Sequence, residues 1–228
     1  MIEAIIYDFD GVIADSEAIA NAVLADMVTQ LGRPTTLQDS YRTYMGKRFE
    51  DVLATIGSVT GRALPSDFAA AFQSRTLEAL ATQLQPVAGV HGFLEAFGHL
   101  PRAVASSSAP ERLAVCLKTL DLEAYFADRV FSASMVARGK PHPDIFLFAA
   151  ERIGVAPGAC LVIEDSAGGV QAAKAAGMTA LGLLAGAHIQ EHHAEALRAA
   201  GADALAHTYD EAAAITRSLC LSAAAARR

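Results

Sequence analysis

One short apolar run, Ala4-Ile5-Ile6-Tyr7, stands alone at the start of this chain. From Ser16 onward about seventy residues carry only helical periodicity, and strand–helix alternation begins near Pro86. Short apolar runs bounded by turn residues read as buried strands, and apolar positions recurring every three or four residues read as helices. In the first block, Ile19, Val23, Met27 and Val28 or Leu31 follow Ser16 and Glu17 at helical spacing until Gly32-Arg33-Pro34 stops the run. From Pro86 the strand candidates are Ala103-Val104-Ala105, Arg129-Val130-Phe131, Cys160 to Ile163, Thr179 to Leu184 and Ala202 to Ala206. Helical stretches separate them, including Asp144 to Ile153 closed by Gly154, and Gly169 to Ala176 closed by Gly177. The alanine-rich end reads as a frayed helix or tail. Repeated β–α units imply a parallel sheet with helices on both faces. The expected organisation is α/β: a core of residues 1–15 and 86–228, with a helical cap domain of residues 16–85 inserted after the first strand. The connections near Ala14–Ser16 and Leu84–Val87 would then be hinges.

The first strand runs into Asp8-Phe9-Asp10-Gly11. Open parallel sheets bind ligands beyond the carboxyl ends of their strands. Strand alternation points Asp8 and Asp10 the same way, and like charges that close repel unless they share a cation or a proton. Three further segments carry polar groups. Ser106-Ser107-Ser108 follows Ala105, and the Ser106 hydroxyl with the next backbone N–H can donate to an anionic oxygen. Ser108 and Glu111, with Pro110 between them, spell a helix capping box. Lys140 sits in the proline-flanked loop Gly139-Lys140-Pro141-His142-Pro143. Glu164-Asp165 ends the most apolar strand, where acids need a partner, so a cation bridging them to Asp8 is expected. Oxygen donors favour Mg²⁺ over zinc. His188, His192 and His193, spaced i, i+4, i+5 on an expected helix, read as surface residues.

Composition narrows the partners. The chain is 53% apolar and 19% charged, enough to bury a sizeable core. Lysines and arginines number 18 against 25 acidic residues, a net charge of −7, and no basic run occurs within the chain. Nucleic acid and anionic membranes are therefore disfavoured as partners. A small anionic substrate is compatible, because a metal and a few cations can reverse the local field. Cys116, Cys160 and Cys220 are odd in number and lack CxxC spacing, as expected of thiols in a reducing compartment. Glu3 and Asp8 interrupt any apolar leader, and no apolar stretch is long enough to span a bilayer. A soluble cytoplasmic protein, monomeric or weakly homo-oligomeric, is expected.

Taken in order, Asp-x-Asp-Gly-Val, a serine after a small-apolar strand, Lys-Pro-x-Pro-Asp-Ile-Phe and Val-Ile-Glu-Asp-Ser-x-x-Gly resemble the four motifs of the haloacid dehalogenase superfamily. The resemblance covers Ile5 to about Gly186, and the helical insert resembles the small α-helical cap of the β-phosphoglucomutase-like subgroup. It implies a Rossmann-like core and Mg²⁺-dependent hydrolysis of a small phosphorylated metabolite, such as a sugar phosphate or sugar-acid phosphate, through an aspartyl-phosphate. On this resemblance Asp8 is the nucleophile and Asp10 the general acid, then base. Asp8, the backbone carbonyl of Asp10 and Asp165 would hold Mg²⁺, with Glu164 as a ligand or behind the ligands. Ser106, the Ser107 N–H and Lys140 would bind the phosphoryl oxygens.

Departures from the family pattern sharpen this reading. Dehalogenases proper lack the second acid, and phosphonate-cleaving relatives carry a small residue there, so Asp10 argues against both. β-Phosphoglucomutases carry a histidine in the first cap helix, where this chain has Ala20. They also carry an arginine in a Gly-x-x-Arg turn, where Gly46 is here followed by Lys47 and Arg48. Hydrolysis is thus the expectation and a phosphosugar mutase the alternative. A phospho-receiver also groups acids, a Ser/Thr and a lysine, but as one domain with its aspartate on a middle strand. An idle binding protein would have no need of the acids retained here.

Lys47 and Arg48 are the best-placed cations of the insert for a substrate's distal carboxylate or second phosphate. Lys47→Ala and Arg48→Ala should each raise KM for an anionic metabolite by about tenfold, the loss of one charged hydrogen bond. A compact aryl phosphate should be almost unaffected; equal, small effects on both substrates in steady-state assays would return the pair to the solvated surface.

Overall fold

Strand β1 (Ala4–Tyr7) is buried along its whole length, as an uninterrupted apolar run demands when both faces of a sheet are covered. The computed structural model describes residues 1–45 and 49–225, so Lys47 and Arg48 lie outside the described residues. Strands β2 (Arg102–Ser106), β3 (Val130–Ser132), β4 (Cys160–Glu164), β5 (Thr179–Leu183) and β6 (Ala204–Ala206) join β1 in a six-stranded sheet ordered β3-β2-β1-β4-β5-β6. Every pairing is parallel. That order is the one in which Rossmann-type sheets run, and it reverses direction at β1. Tyr7 lies opposite Val104 on one side and Ile163 on the other, so the carboxyl ends of the three central strands finish level with one another.

Side-chain alternation divides the core into two layers. Ala4, Ile6, Ala105 and Val162 pack with Ile145, Phe146 and Ala149 of α8 (Asp144–Ile153) and with Val170 and Ala173 of α9 (Ala167–Ala175). On the other face the Tyr7 ring meets Phe93 of α5 (Val90–Ala96) and Phe126 of α7 (Glu123–Phe126) edge to face. Tyr209, which begins α11 (Tyr209–Ala225), packs its ring 5.1 Å from Phe93 and donates its hydroxyl to the Val12 carbonyl at 2.8 Å.

The chain divides into two compact units, Met1–Asp15 with Gln85–Arg228, and Ser16–Leu84. The second consists of α1 (Ser16–Gln30), α2 (Leu37–Thr43), α3 (Phe49–Thr60) and α4 (Phe68–Gln83), with no strand among its described residues. Its own core includes Leu24, Val28, Val52, Ile56 and Phe68. Where the chain leaves and re-enters the larger unit, the Asp15 N–H donates to Gln85 at 3.0 Å and the Val87 N–H donates to Ile13 at 2.9 Å.

Two readings of the sequence change here. Helix α6 (Pro110–Thr119) has Ala109 as its N-cap and no side-chain cap, so the Ser108–Glu111 capping box does not form. Proline prefers the first helical position, which places the cap after Ser108 rather than on it. The described part of the alanine-rich end closes α11, a helix that starts at Tyr209 and reaches Ala225. His188 and His192 precede α10 (His193–Ala199) rather than lying within it. The three cysteines are free thiols, with Cys116 and Cys160 buried. No helix among the described residues is long and apolar enough to cross a membrane.

Candidate active site

Because β1 and β4 pair in register, the residues that follow them emerge side by side. The Asp8 N–H donates to the Ile163 carbonyl at 2.9 Å, continuing the ladder one step beyond β1. Carboxylate oxygens of Asp8, Glu164 and Asp165 all lie within 4.8 Å of one another, and all three residues are buried. Three carboxyl groups in so small a buried volume repel unless cations are supplied.

One cation comes from the chain. Lys140 Nζ donates to Asp8 Oδ1 at 2.6 Å, to Glu164 Oε1 at 2.7 Å and to the Ala105 carbonyl at 3.0 Å. Its stem is buried, and the ammonium lies 4.9 Å from the centre of the Phe146 ring. The loop that delivers it is pinned by a fork from Arg138 to Asp144, with contacts of 3.1 and 2.8 Å. Burial acts against the Lys140 charge, but the carboxylates of Asp8 and Glu164 outweigh it and hold the ammonium above the ordinary lysine value. Burial pushes the Asp8 carboxyl well above the usual carboxylate range; Lys140 opposes this, while Glu164, Asp165 and Asp10 reinforce it. Within the chain, the Lys140 ammonium bridges Asp8 and Glu164.

Glu164 is fully buried, and its other oxygen, Oε2, accepts from the Ser166 N–H at 2.8 Å and the Ser166 hydroxyl at 2.9 Å. A Cβ on Gly169 would lie 1.6 Å from Glu164 Oε1, so this helical position has room for the carboxylate only as glycine. Asp165 Oδ2 lies 3.0 Å from His188 Nε2. Gly11 has φ +77°, and a Cβ there would fall 1.9 Å from Asp165 Oδ2 and 2.7 Å from the His188 ring. The backbone of the first motif therefore approaches Asp165 as closely as a chain can.

Asp10 is held elsewhere. Its Oδ2 accepts from Ser108 Oγ and its Oδ1 from Arg112 Nη2, each at 2.6 Å. The strand ends at Tyr7, so alternation no longer sets the direction of Asp10. Its side chain lies outside the carboxylate set of Asp8, Glu164 and Asp165. Ser106 is buried at the end of β2, where its hydroxyl accepts from the Ser108 N–H at 3.1 Å; Ser107 is exposed.

Sequence reasoning missed three participants. Ser108 reads as a cap but contacts Asp10. Arg112, four residues further, shares its side of the turn, and that spacing was the available signal. His188 reads as a surface residue but is only 4% exposed, because its loop folds back beneath Gly11 and Gly186. His192 is exposed, and His193 is half-buried with its ring against His188.

Three buried carboxyl groups at the level ends of β1 and β4, with the Lys140 ammonium brought to them by a loop, form one compact charged site at the carboxyl end of the sheet. The model of the haloacid dehalogenase-like hydrolases matches residues 2–177, and the chain belongs to that family. It is 32% identical over 179 residues to a phosphorylated carbohydrates phosphatase of Thermotoga maritima, covering 77% of this chain and 82% of that protein. It is 34% identical over 186 residues to the chloroplastic protein SUPPRESSOR OF QUENCHING 1 of Arabidopsis thaliana; the match covers 78% of this chain but only 17% of that protein. In structure it resembles a family hydrolase of Deinococcus radiodurans R1 solved with bound phosphate and sodium. That likeness has a TM-score of 0.82 and 31% identity, and it covers 98% of this chain and 96% of that one.

The Gly169 contact makes a sharp test. Gly169→Ala must displace Glu164 or the start of α9, overpacking of the kind that costs about 1–3 kcal/mol and roughly 3–10 °C of melting temperature. Gly168→Ala, next to it, meets nothing within 4 Å and should leave the melt unchanged or slightly raised. Equal melts for the two variants would show that Glu164 is not confined by the helix.

Proposed function

We propose that the chain is a Mg²⁺-dependent phosphatase of small phosphorylated carbohydrates that works through an aspartyl-phosphate on Asp8. The observation that carries this reading is the Lys140 ammonium set between Asp8 and Glu164, with Asp165 beside them. The relation to the Thermotoga phosphatase supports the substrate class. The Deinococcus relative was solved with phosphate bound, which supports a phosphoryl ligand for this family member.

The donor set suits a hard divalent cation. Three carboxylates face one ammonium, every donor is oxygen, and the net negative charge asks for a further cation. Asp8, Asp165 and the Asp10 carbonyl would hold it. Glu164, committed to Lys140 and Ser166, would stand behind them or lend an oxygen. When bound, Mg²⁺ draws charge from the phosphoryl oxygens and orients them.

In the first half-reaction a carboxylate oxygen of Asp8 forms a bond to phosphorus as the bond to the ester oxygen breaks. Asp10 gives its proton to the leaving alkoxide. In the second, Asp10, now a carboxylate, takes a proton from water as that water attacks phosphorus. The bond from phosphorus to Asp8 breaks, releasing inorganic phosphate and restoring both acids. Lys140, the Ser106 hydroxyl and the Ser107 N–H neutralise phosphoryl oxygens throughout. Lys140 also opposes the effect of burial on Asp8, because a protonated carboxyl cannot attack. The helical unit Ser16–Leu84 serves as the cap that selects among esters.

Asp8→Asn should abolish turnover while still giving a folded protein by circular dichroism, since an amide cannot attack phosphorus. Activity of even about a hundredth of wild type, in a preparation free of other phosphatases, would sink the nucleophile assignment. Chelation should remove activity and Mg²⁺ restore it, whereas Ca²⁺, with its larger and looser shell, should inhibit. Added Mg²⁺ should also raise the melting temperature, read by calorimetry without substrate. A chelator-resistant rate would contradict the metal requirement.

A further inference from the structure

The two oxygens of Asp10 have chemically unlike partners. Oδ1 faces the Arg112 guanidinium and Oδ2 the Ser108 hydroxyl, both at 2.6 Å. A guanidinium only donates hydrogen bonds and does not give up its charge in proteins. A hydroxyl donates or accepts as its hydrogen rotates. Oδ1 therefore serves only as an acceptor while this contact stands. Oδ2 is free to carry a proton, with Ser108 turning from donor to acceptor.

The partners are themselves fixed. The Ser108 N–H donates to Ser106 Oγ at 3.1 Å, and the Ser108 carbonyl accepts from Ser132 Oγ at 2.7 Å. Arg112 stands in the first turn of α6, just beyond Pro110. The side chains of Arg112 and Asp10 are 23% and 15% exposed, shielded enough to hold one geometry. A substrate oxygen approaching Oδ2 displaces one reversible hydroxyl contact; approaching Oδ1, it would have to break an ion pair.

We infer that Arg112 is a positioning residue for the reaction. By engaging Oδ1 it turns the carboxyl so that Oδ2 delivers the proton to the leaving oxygen and takes it from water. This rests on the assignment of Asp10 as the acid–base group. Loss of Arg112 leaves Asp10 in place without the guanidinium that fixes Oδ1, so what suffers is proton delivery, which matters only where the leaving group needs a proton.

The test is kcat/KM across phosphate monoesters graded from aryl to alkyl leaving groups, for wild type, Asp10→Asn, Arg112→Met and Arg112→Lys. Arg112→Met keeps the apolar stem, and its melting temperature checks folding; Arg112→Gln provides a second variant should it not fold. For alkyl esters, Arg112→Met should lose roughly tenfold to a hundredfold, part of what a positioned acid contributes, and less than about threefold for the best aryl ester. Arg112→Lys, which keeps a charged donor, should recover most of the alkyl rate. Arg112→Gln, which has no charge to pair with Oδ1, should show the same graded loss as Arg112→Met. A loss uniform across the series, or an undiminished alkyl rate, overturns the inference. If Asp10→Asn shows no dependence on the leaving group, the acid–base assignment falls and takes this inference with it. If Asp10→Asn shows that dependence and Arg112→Met does not, this inference alone falls.

Discussion

An ammonium buried between two carboxylates holds the catalytic end of the sheet together. Through its three contacts, Lys140 touches the ends of β1, β2 and β4, the three strands at the centre of the sheet. Each of these strand ends brings either a charge or a carbonyl oxygen into a volume from which water is largely excluded. Such an arrangement differs from a surface ion pair, whose net worth is small. Removing one partner of a buried pair strands a desolvated charge, and losses of about 3–5 kcal/mol are usual. The rigidity of the loop around Lys140, pinned by Arg138 and Asp144, is thus part of the site's electrostatics.

The two aspartates of the first motif, two residues apart, have been given different cations. Asp8 faces a lysine brought from beyond β3, and Asp10 an arginine brought from α6. Two carboxyl groups this close in sequence can then take opposite parts in one reaction, since environment rather than identity decides which attacks and which transfers protons. Two glycines make the packing feasible: Gly11 admits Asp165 against the first loop, and Gly169 admits Glu164 against α9.

Much of this was legible in the residues. β1 and β4 are continuous apolar runs because both faces of the sheet are covered, and such runs survive any local ambiguity. Helices α8 and α9 were marked by Gly154 and Gly177, whose positive φ ends them. The acids and Lys140 stood out through the motifs they share with a known family. Helix α11 was obscured because alanines give little apolar contrast around a helix. Ser108 spelled a capping box correctly, yet Pro110 moved the helix start and released its hydroxyl for Asp10. The burial of His188 depends on how one loop folds back on Gly11, which no local periodicity records. That Lys140 would meet Asp8 across 132 residues of chain is a fact of topology, visible only once strand order is known.

The hydrogen bond from Tyr209 to Val12 joins positions 197 residues apart and places the start of α11 against the loop that follows Asp10. During synthesis that loop leaves the ribosome long before its partner exists. Strands β2 and β4, which flank β1 on either side, are also made later. Asp8 and Asp10 are therefore translated before most of the residues that surround them and are among the last to acquire their full surroundings. A nascent chain has no finished acidic site to offer until nearly this whole core has been made.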